Sequence, residues 1–177
     1  WRDPLCDAYI NGANSLGIPR NPDYNGRAQE GISYLQRTVN GRTRMSAAKA
    51  FLNPAKKRPN LKVITNAHVT SLTLSGKQVT GVSYRKGGVR GKQMHLKAAK
   101  EVIISGGAIN SPQLLQLSGI GPASLLQQLG IGVQHDLPGV GENLRDHYAT
   151  RLTASVEGVQ TINDRAHGIK LVGEVAK

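Results

Sequence analysis

Apolar and polar positions change period along this chain, and each change marks an element. Leu5, Ala8, Tyr9, Gly12, Ala13 and Leu16 recur at a spacing of three to four, which predicts an amphipathic helix with these residues on its buried face. Asp3 is placed to cap that helix, Pro4 to sit in its first turn and Gly17 to stop it. Asn21-Pro22-Asp23-Tyr24-Asn25-Gly26 is dense in turn formers and predicts an ordered loop. Ile32, Tyr34 and Gln36 alternate in an extended segment. Ser46 to Leu52 predicts a short helix that begins at Ser46 and stops before Pro54.

From Asn60 the period becomes two. Leu61 to Thr65 predicts one strand, Val69 to Leu74 a second, and Gln78 to Tyr84 a third after the turn Ser75-Gly76-Lys77. The loop Lys86 to Lys92 leads to a fourth extended stretch at Gln93 to Leu96. Glu101-Val102-Ile103-Ile104-Ser105 is apolar without alternation, the pattern of a central strand covered on both faces in a parallel sheet. It runs into Gly106-Gly107, where a backbone can approach a ligand closely. Ser111-Pro112 predicts a helix start with a stop at Gly119, and Pro122 to Leu129 a further short helix before Gly130. Ile131 to Leu137 reads as extended, Pro138 to Gly141 as a turn and Ala149 to Val156 as a weak strand. A strand meander combined with α/β elements excludes an all-α fold.

Composition narrows the class. The 177 residues suffice for a buried core, and no low-complexity tract, long apolar run or secretory leader is evident. One cysteine, Cys6, forms no internal disulfide and anchors no cysteine-type zinc site. The opening at Trp1-Arg2-Asp3-Pro4 suggests a piece of a larger protein. Net charge is +12, and between Glu30 and Glu101 the chain carries fifteen Lys and Arg and no acid. Such a field favours an anionic partner, unless these residues form a solvated surface or pair with acids elsewhere. A basic nucleic-acid-binding or non-catalytic interaction module is therefore the alternative reading. It is weakened because only Tyr34, Phe51 and Tyr84 offer aromatic rings within residues 31–100.

No complete active site is visible. Gly119-Ile120-Gly121 and Gly139-Val140-Gly141 lack the third glycine and the strand-to-helix context of a dinucleotide fingerprint. Gly87 to Lys92 lacks the spacing of a phosphate-binding P-loop. His68, His95, His135, His147 and His167 show no metal-ligand spacing, so no metal site is expected. Asp146-His147 suggests an acid–base pair, but adjacent residues do not usually face each other.

One string is more specific. Gly107-Ala108-Ile109-Asn110-Ser111-Pro112-Gln113-Leu114-Leu115-Gln116-Leu117-Ser118-Gly119-Ile120-Gly121 resembles the second signature of the glucose–methanol–choline (GMC) flavoprotein oxidoreductases. Asp23-Tyr24-Asn25-Gly26 with Gln29-Glu30-Gly31, Gly41-Arg42 with Ser46 and Phe51-Leu52, and Arg58-Pro59-Asn60-Leu61 are similar to family segments in the same order. So are Gly81-Val82 and Pro138 to His147. The resemblance covers roughly residues 1 to 150 and is strongest to choline dehydrogenase-like alcohol dehydrogenases.

The resemblance implies a mixed α/β fold: part of an FAD-binding Rossmann-like domain with a strand meander, plus pieces of the family's substrate domain. Residues 1–39 would belong to the substrate domain, 40–148 to the FAD domain and 149–177 to a second substrate-domain segment. The implied reaction is oxidation of an alcohol to an aldehyde or ketone by hydride transfer to FAD, with O₂, a quinone or another acceptor reoxidising the flavin. Val69, in Ala67-His68-Val69, would pair through its backbone with the adenine edge. Ser105, Gly106 and Gly107 would lie against the adenosine. The family's catalytic His and its partner lie outside this stretch, so no catalytic residue is assigned, and His147 is not promoted to one. A small alcohol is the expected partner and nucleic acid is not. A cytoplasmic or membrane-associated location fits better than secretion.

Overall fold

The structure, a computed structural model, describes residues 2–166. They divide into two compact units, residues 2–55 with 150–166 and residues Lys56–Ala149. The end of the expected 149–177 segment therefore lies outside the described residues.

In the first unit helix α1 spans Pro4–Ser15, with Pro4 in its first turn. The Asp3 carboxylate accepts the Leu5 N–H at 3.0 Å, satisfying one of the free donors of the first turn. Gly17, at φ +91°, follows the helix end. The buried face differs from the expected one. Ile10 is buried, while Tyr9 and Leu16 are 74% and 84% exposed. The helix is rotated by its anchor: Tyr34 accepts the Asp3 N–H and donates its hydroxyl to the Asp3 carbonyl. Leu5 and Ile10 are thereby set around the same hollow as Ile32 and Tyr34.

The loop at 21–26 is ordered by its own side chains. Asn21 accepts the Asp23 N–H, Asp23 accepts the Asn25 N–H, and the Asn21 amide donates to the Ala28 and Glu30 carbonyls. A small antiparallel pair follows, β1 (Val39–Asn40) and β2 (Thr43–Arg44), around Gly41 at φ +59°. The expected helix starts at Ser46, whose hydroxyl accepts the Lys49 N–H. It does not stop before Pro54, because a widened π-type turn over Ala48–Leu52 runs on into α2 (Asn53–Ala55). The Asn53 N–H closes that turn on the Ala48 carbonyl, and Pro54 follows where its lack of an N–H is tolerated. Ala149 to Val156 forms no strand.

The second unit is built on an antiparallel meander: β3 (Ala67–Ser75), β4 (Gln78–Lys86) and β5 (Lys92–Lys97), in that spatial order. Gly76, at φ +56°, makes the first hairpin turn. Register shifts between Val69 and Ser71 mark a bulge at Thr70, whose hydroxyl donates to the Ser83 carbonyl.

Helix α3 spans Gly107–Leu117, so it starts four residues before the expected Ser111 and carries Pro112 inside. Ser111 still serves the helix start, accepting the Gly106 N–H at 3.0 Å. Strand β6 (Ile120–Gly121) and β7 (His135–Asp136) pair in parallel across α4 (Ala123–Gln128). Leu126 of α4 has no exposed surface, and Leu72 and Val140 are also buried in this unit.

Two expected strands form no ladder among the described residues. Leu61 to Thr65 and Glu101 to Ser105 have no paired neighbour. In the second, Val102 and Ile104 are half-buried while Ile103 is 79% exposed, so only one face of the expected central strand is covered. Near the described end, α5 (Ile162–Arg165) follows Thr161, whose N–H donates to the Asp164 carboxylate. No helix among the described residues is long and apolar enough to cross a membrane.

Candidate functional site

The site grows from the free side of β3. In an antiparallel sheet each residue's N–H and C=O point together toward one neighbour, and successive residues alternate. The Thr80 carbonyl accepts the Ala98 N–H at 2.8 Å, so Thr80, and with it Val82 and Tyr84, point toward β5. Their partners on β3, Leu72 opposite Val82 and Val69 opposite Tyr84, therefore point away from β4. Leu72 shows this directly, donating its N–H outward to the Ser118 hydroxyl at 2.8 Å. Val69 is left with an N–H and a C=O directed at the open edge of the sheet.

That edge borders a cavity of about 640 Å³. Ala67, His68 and Val69 form one wall, the tract Val102 to Gly106 a second, and α3 a third. The lining of α3 is Asn110, Gln113, Leu114 and Leu117, the i, i+3, i+4, i+7 stripe of one helix face. Val69, Ser105 and Gly106 are thus brought together from positions far apart in the chain. Gly107 does not line the cavity but adjoins it as the first residue of α3, at φ +85°. A Cβ at Gly106 would stand 3.2 Å from the Asn110 Cβ and the Ser111 nitrogen, so the bare glycine allows the tract to close on the helix.

His68, Asn110 and Gln113 are polar lining residues that sequence reasoning did not single out. The helical stripe would have shown the latter two, had the helix start been read at Gly107. The Asp146-His147 pair does not form an acid–base couple: the Asp146 carboxylate accepts the His147 backbone N–H. A different contact, unmarked in the sequence, joins Ser83 to His95 Nδ1 at 2.9 Å across β4 and β5. Two of the basic residues in the β4–β5 hairpin are engaged by backbone, Arg85 with the Val89 carbonyl and Lys86 with the Thr65 carbonyl. No cluster suited to a metal ion occurs among the described residues.

The first unit holds a separate hollow of about 660 Å³, lined mainly by apolar side chains including Leu5, Ile10, Leu35 and Val156. Half-burial disfavours the phenolate of Tyr34 at its wall and raises its pKa above the ordinary value; the Asp3 contact opposes this and the Asp7 carboxylate adds to it.

Comparison with known proteins places this geometry in a family. The profile described as GMC oxidoreductase matches residues 2–149. An oxygen-dependent choline dehydrogenase of Staphylococcus xylosus is 50% identical over 145 residues, covering 82% of this chain and 25% of that protein. The chain thus spans about a quarter of the length of the curated relatives it matches. Among solved structures, an FAD-dependent oxidoreductase from Chaetomium thermophilum is similar with a TM-score of 0.76 at 34% identity, covering 82% of this chain and 25% of its own. Pyridoxine 4-oxidase from Mesorbium loti gives a TM-score of 0.70 at 33% identity, with coverages of 77% and 26%.

Proposed function

The chain belongs to the GMC oxidoreductase family, and from that premise we propose that it forms the adenosine-holding part of an FAD-dependent alcohol oxidoreductase. The observation that carries this reading is the cavity at the open edge of β3. Adenine presents a ring-nitrogen acceptor beside an amino donor. An outward N–H and C=O on one residue, Val69, supply the complementary pair without any side chain. Across the cavity, Ser105 offers a hydroxyl and Gly106 a backbone with no side chain to hold a ligand off. The residues present therefore fit the adenosine half of FAD.

When bound, FAD supplies the hydride acceptor for the alcohol carbon. The residues of this chain would bind and orient the group: the Val69 backbone on β3 would hold the adenine, Ser105 and Gly106 the adenosine, with α3 as the side wall and Gly107 adjoining it. No proton-transfer residue is assigned here. In this reading residues 40–148 belong to the FAD domain and residues 1–39 with 149–177 to the substrate domain; the compact units divide nearby, at Ala55 and Ala149. The relatives named as oxygen-dependent choline dehydrogenases make choline the first alcohol to try and O₂ the first acceptor.

The test uses the full-length protein. It is expected to purify yellow, release FAD on denaturation and bleach anaerobically with choline or another primary alcohol, regaining colour in air. A folded, colourless protein that takes up no added FAD would sink the proposal.

A further inference from the structure

A buried hydrogen bond joins the edge of β3 to the end of α3. Ser118, the residue that caps the end of α3, is only 7% exposed. Its hydroxyl donates to the Leu114 carbonyl at 2.6 Å, an intrahelical bond that fixes its rotamer. With its lone pair it accepts the Leu72 N–H at 2.8 Å, a contact between residues 46 apart in the chain. Leu72 is itself buried, so the Ser118 hydroxyl is the protein partner that satisfies this N–H at the edge of a small neighbouring hollow.

Two features make the contact bear on the cavity. Leu72 and Val69 share the same edge and the same outward orientation, with the Thr70 bulge between them. Leu114 and Leu117, on the last turns of the helix that Ser118 ends, line the same cavity as Val69. The hydroxyl thus ties one wall to the other, and the separation between the Val69 edge and α3 is set from that tie.

We infer that Ser118 is a positioning residue for cofactor binding: through Leu72 it holds the β3 edge at the distance from α3 that lets Val69 read the adenine. The inference rests on the FAD reading above. Ser118 touches no ligand in it and acts only through the two backbones it joins.

The experiment measures the affinity of FAD-stripped, full-length protein for FAD by flavin fluorescence quenching, and for ADP by competition. ADP carries the adenosine half without the flavin. Ser118→Ala removes the tie and deprives the Leu72 N–H of its protein partner, and is expected to raise Kd for FAD and for ADP alike by about tenfold or more. With FAD in excess, the alcohol KM should move less than about twofold, since the tie acts on the adenosine half. Ser118→Thr keeps the hydroxyl and is expected to recover most of the affinity for both ligands. Ser118→Cys matches the volume with a weak hydrogen-bonding sulfur, and replaces the alanine variant if that one fails to fold.

Unchanged affinities in Ser118→Ala, or in Ser118→Cys where alanine does not fold, would overturn the inference. A loss shared equally by FAD affinity and alcohol KM would also overturn it, since that is the mark of general destabilisation. Wild-type protein that binds neither FAD nor ADP is a distinct result, because it removes the FAD reading itself.

Discussion

Gly107 is the one predicted site residue whose backbone forbids most alternatives, and replacing it puts a magnitude on the strand-to-helix turn. It opens α3 at φ +85°, and a Cβ built there meets nothing within 4 Å. The cost of Gly107→Ala is therefore conformational and not steric. Holding an L-residue in the left-handed region costs about 1–2 kcal/mol. Alanine also restricts the unfolded chain, which offsets about 0.4–1 kcal/mol. The midpoints of these two ranges leave a net loss of about 0.8 kcal/mol, and Gly107→Asn should lose less because asparagine tolerates positive φ. Urea titration followed by far-UV circular dichroism, on full-length protein stripped of FAD, measures both variants against wild type. The order expected is Gly, then Asn, then Ala. An alanine variant as stable as wild type, or more stable than the asparagine one, would refute the strained-turn argument. Repeating the titration with FAD bound adds a second reading: if the cofactor lies along this turn, the alanine penalty grows in the loaded protein.

Other perturbations probe separate parts of the two units. Leu126→Ala empties the fully buried position of α4 and should cost about 2–5 kcal/mol, read as a lower urea midpoint with an unchanged slope. Asp3→Ala removes the cap of α1 and should cost about 0.5–2 kcal/mol, whereas Asp3→Asn should cost a few tenths; thermal melts distinguish the two. Tyr34 has a raised pKa, so the folded protein holds the phenolic proton more tightly than the unfolded chain does. Its stabilising share is complete below the ordinary tyrosine value and declines as pH rises through the raised folded value. Alkaline difference absorbance should show one late-titrating tyrosine that disappears in Tyr34→Phe, and a spectrum without it would contradict the assignment.

Local chemistry made much of this fold legible. The cap–proline–glycine sequence around α1 acts within four residues of the helix ends, and the structure uses Asp3, Pro4 and Gly17 as their types suggest. The meander was readable because alternation and the Ser75-Gly76-Lys77 turn are both short-range signals. The buried face of α1 was not, because it depends on the Asp3–Tyr34 contact across 31 residues. The start of α3 was misread because Ser111-Pro112 has the chemistry of a cap, yet Ser111 serves Gly106 from inside the helix. The cavity residues that came from family resemblance, Val69 and Ser105, carry no local signal of their own. Val69 meets the cavity through a backbone direction, which depends on the register of three strands and not on the identity of its side chain. The expected central strand at Glu101 to Ser105 shows the converse: composition announces an apolar strand, but a ladder needs a neighbour, and none is paired with it among the described residues.

That unpaired tract has a consequence for the chain when it is handled as an isolated polypeptide. Val102-Ile103-Ile104 combines high β-propensity with no charge, and Ile103 is largely open to solvent. Lys100 and Glu101 guard one end, but beyond Ser105 the next charged residue is Asp136. Short segments of this kind seed intermolecular cross-β stacking when their backbone groups are free. Expressed by itself, the chain should self-associate through this tract, and Ile103→Lys should keep it dispersed at concentrations where the parent sequence precipitates.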